Sequence, residues 1–281
     1  MSPSVVHEVG TDGNLYAIAD HGAHVTRWCS SRFGDLLYLS SAARLEPGAA
    51  IRGGVPICFP WFAGGVEGSL SPSHGFLRTA LWRRTAWEVN DRQSVLSAVY
   101  EIDEQQIADR PGATLFPHRF TARYDVVLAP EHARFTLRIT NDGSRPFTFG
   151  AALHTYLAVS DVERVNVSGL DGAPYADKVT GRRAVQSGEV LLGDEVDRIY
   201  DSTSDVVVAD DALGRTIRIA KLGSPHTVIW NPGPAKAAAL DDLGAGEWRR
   251  FVCVEAAAIE AVELHPGERH ELEQQVFVAG R

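Results

Sequence analysis

Apolar and polar residues alternate with period two through the middle of the chain. Phe120, Ala122, Tyr124, Val126 and Leu128 share one parity, with Thr121, Arg123 and Asp125 between them, and Ala133, Phe135, Leu137 and Ile139 repeat the pattern. Such alternation puts successive side chains on opposite faces of a strand. Asn141-Asp142-Gly143 and Asp210-Asp211-Ala212-Leu213-Gly214 supply turn chemistry between such runs. Further strands are expected near 81–89, 94–102, 147–157, 215–220, 226–231, 250–256 and 269–278. Long segments with a 3.6-residue period are absent, so helices are expected only as short connectors, around 102–109 and in the Ala-rich stretch 235–241. No low-complexity linker and no internal repeat interrupts the pattern. The expected architecture is all-β: residues 1–281 as one domain, a large antiparallel β-sandwich with a few short helices.

Composition narrows the function classes. The 281 residues are 44% hydrophobic and 22% charged, ordinary values for a globular protein. A formal net charge of -9 opposes nonspecific binding to nucleic acid or an anionic membrane, so a bound anion has to meet locally placed cations. Cys29, Cys58 and Cys253 are odd in number and far apart, which fits neither a disulfide framework nor a zinc site and suits a reducing, cytoplasmic setting. Met1 to Gly10 lacks a basic segment followed by an apolar run, and no apolar stretch reaches membrane-spanning length; neither secretion nor membrane insertion is expected.

The candidate chemistry is concentrated in a few segments. Ile51-Arg52-Gly53-Gly54-Val55-Pro56 runs through Cys58 to Trp61-Phe62, and Ser73-His74-Gly75-Phe76-Leu77-Arg78 follows. Two arginines and a histidine among glycines, prolines and aromatics let backbone approach a ligand, place rings beside it and offer fixed donors to an anion. On a strand from Phe147 to Leu157, His154 shares a face with Thr148, Gly150, Ala152 and Tyr156, where small neighbours leave room for a ligand. The alternative for His154 is a core histidine bonded to backbone. Glu255 lies in Phe251-Val252-Cys253-Val254-Glu255-Ala256-Ala257, apolar at both parities, so its strand is expected to be covered on both faces. Burial raises a carboxyl above its usual value of about 4.3 and makes it a better base, while donors nearby pull the other way. The alternative is a buried ion pair with Arg249 or Arg250.

Together with Leu153-His154-Thr155-Tyr156 and Cys253-Val254-Glu255-Ala256, these segments resemble the hexose-6-phosphate mutarotases (glucose-6-phosphate 1-epimerases) of the galactose mutarotase superfamily, from about Ile51 to the C-terminus. The resemblance implies the galactose mutarotase-like β-sandwich. It makes His154 the general acid and Glu255, on a C-[IV]-E strand, the general base. It also implies that Arg52 (R-G-G-x-P) and Arg78 (H-G-x-x-R) hold a phosphate, that His74 contacts sugar hydroxyls, and that Asp197, in x-x-D-x-[IV]-Y, holds hydroxyls and orients the histidine. Trp230, in Val228-Ile229-Trp230-Asn231-Pro232, is expected at the pocket wall with Trp61 and Phe62; Lys236 and Asp241 complete that segment. Gly233 stands where the family commonly has a tryptophan, which leaves the shape of that wall open.

Anomer interconversion needs the O1 hydroxyl deprotonated and the ring oxygen O5 protonated, so one base and one acid suffice, with no metal or organic cofactor. The expected partner is a small-molecule hexose phosphate, handled by a cytoplasmic monomer without nucleic acid or membrane. Two other readings compete: an aldose 1-epimerase acting on unphosphorylated hexoses, in which Arg52 and Arg78 do not meet, and a noncatalytic carbohydrate-binding or sensing module, in which the acid or base is lost.

Overall fold

Strands with one packed and one half-wet face satisfy their backbone by pairing side by side. A computed structural model describes residues 5–281, the side chains of residues 260 and 261 excepted. In it the alternating segments form two eight-stranded antiparallel sheets. One runs Asn166–Ser168, Val206–Asp210, Arg215–Leu222, Arg269–Gly280, His132–Asn141, Phe120–Leu128, Val95–Asp103, Arg83–Asn90. The other runs Arg182–Val185, Pro174–Asp177, Val196–Tyr200, His226–Asn231, Phe251–Leu264, Phe147–Leu153, Ile57–Cys58, with Tyr156–Ala158 also paired to Phe251–Leu264. Val6–Thr11, Asn14–Ala19, His24–Ser30 and Gly34–Asp35 make a third, four-stranded sheet.

The main core joins the inward rows of the two large sheets: Phe120, Tyr124, Phe135 and Leu137 with Leu153, Ile229, Val254 and Ala256. The opposite face of the second sheet is also buried, by Cys58, Ala152, Tyr156, Val228, Trp230, Phe251, Cys253 and Ala257. Residues 251–258 are therefore covered on both faces, as their apolar sequence requires, and Glu255 falls in the row of Cys253 and Ala257.

Several expectations need correction. Residues 102–109 form no helix: the strand continues to Asp103, whose carboxylate accepts the N–H groups of Gln105 and Gln106 and starts a run of turns. The Ala-rich segment is helical only over Gly233–Ala237, and the strand expected at 250–256 continues to Leu264. The strand expected from 147 to 157 is two pieces, Phe147–Leu153 and Tyr156–Ala158. It bulges at Gly150 against Phe251–Leu264, and Thr155 N–H turns back onto Leu153 O at 3.0 Å.

Candidate active site

The register across this break brings the two leading residues together. Leu153 opposes Ala256 and Tyr156 opposes Cys253, so counting between them sets His154 opposite Glu255. Directly opposed residues share a face. His154 Nε2 lies 3.4 Å from Glu255 Oε1, both groups lining a cavity of about 360 Å³ with Arg52, His74, Arg78, Asp197 and Trp230. Phe62 and Lys236 line it too, whereas Asp241 lies outside it, and Trp61 belongs to the main core and donates its indole N–H to Pro72 O.

The same register builds the wall. Asp197 opposes Trp230, Trp230 opposes Cys253, and Cys253 opposes Tyr156, one row across four strands. The segment Arg52 to Pro56 docks beside it, Pro56 O accepting from His154 N–H at 3.0 Å and Gly54 O from Tyr156 N–H at 2.9 Å. Its glycines serve this docking and not the approach of a ligand: at Gly54, with φ +61°, a Cβ would lie 2.1 Å from Val25 O. Arg52 Nε donates to Asp242 at 3.1 Å, and its Nη1 donates to the Tyr156 hydroxyl at 3.0 Å. Arg78 donates through Nη2 to Ser73 O at 2.7 Å and has no carboxylate partner among the described residues.

Gly233 also has a physical reason. Its φ is +59°, and a Cβ there would lie 2.5 Å from Glu195 N and 2.7 Å from the Asp194 carbonyl carbon. No side chain fits, so the wall at this point is Trp230, Lys236 and Leu240.

Electrostatics set the pair apart from ordinary ionisable groups. Burial, reinforced by Asp197 and partly offset by Lys178, pushes the Glu255 carboxyl well above the usual range. Burial, with Arg52 and Arg78 behind it, pushes His154 down to about 3. The two shifts favour the neutral pair, with the proton on Glu255. Neither Glu255 oxygen nor His154 Nδ1 has a protein hydrogen-bond partner among the described residues, although all are buried. Unsatisfied groups of this kind in a cavity mark a place prepared for another molecule's polar atoms.

Neither Arg249 nor Arg250 pairs with Glu255: Arg249 binds Asp161 and Glu163, and Arg250 lines a different cavity. Asp197 makes no hydrogen bond to His154; it faces the cavity, its carboxyl raised by burial. Asp241 pairs with exposed Arg44, and it is Asp242, one residue on, that holds Arg52. Sequence reasoning missed Lys178 as a lining residue. No motif marks it; the hairpin beside Asp197 carries it there, Lys178 N–H donating to Asp197 O at 2.8 Å, with its ammonium 5.4 Å from the Phe62 ring.

A double-sheet antiparallel sandwich with a His–Glu pair on one buried face is the arrangement expected of an isomerase of the mutarotase class, and similarity to known proteins places the chain there. The chain belongs to the aldose 1-epimerase family, whose model matches residues 6–276. A Cenchrus ciliaris protein named "Putative glucose-6-phosphate 1-epimerase" is 36% identical over 282 residues, covering 95% of this chain and 83% of that protein. Its namesake from Escherichia coli K12 is 32% identical over 269 residues, covering 94% and 87%. The crystal structure of "a putative mutarotase" from Salmonella typhimurium superposes with a TM-score of 0.88 at 29% identity, covering 99% of this chain and 91% of that one.

Proposed function

We propose that the protein interconverts the α and β anomers of a hexose 6-phosphate, glucose 6-phosphate foremost, with Glu255 and His154 as the proton-transfer pair. The observation that carries this reading is the meeting of that pair, 3.4 Å apart, with two arginines in one cavity. O1 and O5 are bonded to the same carbon, so a base and an acid that serve them must converge as these two do. A phosphate dianion matches paired guanidinium groups in charge and geometry. Its two negative charges offset the arginines that hold His154 neutral. The proton then passes from Glu255 to His154, leaving carboxylate and imidazolium. Glu255 removes the O1 proton as His154 protonates O5, and the C1–O5 bond breaks to give the open aldehyde. Rotation about C1–C2 presents the other carbonyl face, O5 attacks it, and both protons return.

The names of the relatives support the phosphorylated substrate, and so does the cationic lining in a protein of net charge -9. The test is anomer exchange of glucose 6-phosphate followed by magnetisation-transfer NMR. Glu255→Gln and His154→Ala are each expected to lose about a hundredfold or more in rate while still unfolding in one cooperative transition. Full activity in either folded variant removes that residue from the mechanism.

A further inference from the structure

Two histidines line the cavity, and their surroundings differ. His74 has a backbone φ of +65°, uncommon outside glycine, and a reciprocal clasp holds it there. Its N–H donates to Ala63 O at 2.6 Å, and Ala63 N–H donates back to its ring Nδ1 at 3.3 Å. The Cys58 Sγ lies 3.3 Å from the same Nδ1. A backbone N–H can only donate, so Nδ1 must present its lone pair and the ring proton must sit on Nε2. Phe62 packs edge-on at 4.8 Å and His154 at 5.5 Å, which holds the ring against a flip that would put Cδ2 in the place of Nδ1.

We propose that Cys58 and the Ala63 amide lock His74 as its neutral Nε2–H tautomer, making His74 a fixed hydrogen-bond donor to a substrate oxygen and leaving His154 as the single proton-transfer histidine. This rests on the reading above for its catalytic consequence, but the tautomer itself does not. Cys58 is a positioning residue: it is fully buried, touches no ligand space, and acts through His74. Burial raises its thiol, which therefore stays protonated and serves as an S–H donor. The charged and titratable groups around His74 are Arg78, His154, Lys178 and Arg52, all of which disfavour a second proton on its ring, as burial does.

The test is ¹⁵N NMR of the histidine rings in the full-length protein, with His74 assigned by its loss in His74→Gln. The expected spectrum shows a pyrrole-type Nε2 and a pyridine-type Nδ1 for His74, unchanged from about pH 6 to about pH 8, across the ordinary histidine range. A proton on Nδ1, or titration of the ring in that range, overturns the proposal. Cys58→Val removes the donor, while Cys58→Ser restores one. The valine variant is expected to lose roughly fivefold to tenfold in kcat/KM, one neutral hydrogen bond's worth, and to move the Nδ1 resonance; the serine variant is expected to recover both. An unmoved Nδ1 resonance in folded Cys58→Val removes Cys58 from the lock. If the enzyme fails to mutarotate hexose phosphates at all, the wild-type spectrum still decides the tautomer.

Discussion

A buried carboxyl group with no protein donor on either oxygen is costly to ionise, and Glu255 is held in that condition among the described residues. Its raised pKa means that the folded state keeps a proton the unfolded chain gives up. The stability this provides is complete below the ordinary glutamate value of 4.5 and is lost as pH rises through the folded value. His154 acts in the opposite sense: its folded pKa of about 3 lies below the ordinary 6.5, so its contribution is present above 6.5 and lost as pH falls toward 3. Above 6.5 only the glutamate contribution changes, by at most about 1.4 kcal/mol per pH unit. Glu255→Gln removes it. As pH rises above the ordinary glutamate value of 4.5, thermal unfolding is therefore expected to favour the variant increasingly over wild type until the folded carboxyl ionises; parallel curves contradict the burial argument. The burial of this residue was readable because apolar neighbours at both parities already excluded a casual surface group, while its assignment as the base came from the family resemblance. Its protonation state was not, since that depends on Arg52, Arg78, Asp197 and Lys178, which come from four distant segments.

At the scale of elements, legibility followed length and regularity. The strands Phe120–Leu128 and His132–Asn141 show clean alternation and pair as their pattern implies. The short strands Pro174–Asp177 and Arg182–Val185 are partly or wholly exposed, carry no such pattern, and escaped notice, although their hairpin delivers Lys178. The expected strand at 147–157 gave the right face for His154, because the register resumes unchanged beyond the break at Thr155. Gly233 looked like a departure from the family's wall, and its left-handed backbone against Asp194 and Glu195 shows why no aromatic fits. Gly233→Ala is expected to cost about 1–3 kcal/mol by denaturant unfolding and to raise KM more than it lowers kcat. A variant as stable and active as wild type contradicts the close contact.

On the scale of the whole molecule, residues 1–50 carried no readable motif, yet the sheet that begins at Val6 is fastened to the sandwich by buried side chains, Trp28, whose indole N–H donates to Ala129 O at 2.8 Å, and Arg215 among them. Arg215 donates to Phe33 O at 2.6 Å and Asp35 O at 3.0 Å on one side and to Ala158 O at 2.7 Å on the other. Arg215→Met leaves these three carbonyls without that donor and is expected to destabilise the fold by about 3 kcal/mol or more. Hydrogen exchange is expected to rise first in His24–Ser30; unaltered protection there contradicts the fastening role. The net charge of -9 repels anions at long range, and the cavity answers with Arg52, Arg78, Lys178 and Lys236. The central claim is that the phosphate both anchors the sugar and sets the protons of the His154–Glu255 pair. Saturating anomer-exchange rates on glucose 6-phosphate and on glucose, for wild type and Arg78→Met, test it together. The account predicts that wild type turns over glucose with a kcat at least about tenfold below that for glucose 6-phosphate, and that Arg78→Met narrows this gap in kcat, by removing charge that holds His154 neutral, while raising KM for the phosphorylated sugar; equal kcat on the two sugars in wild type, with only KM changed, would contradict it.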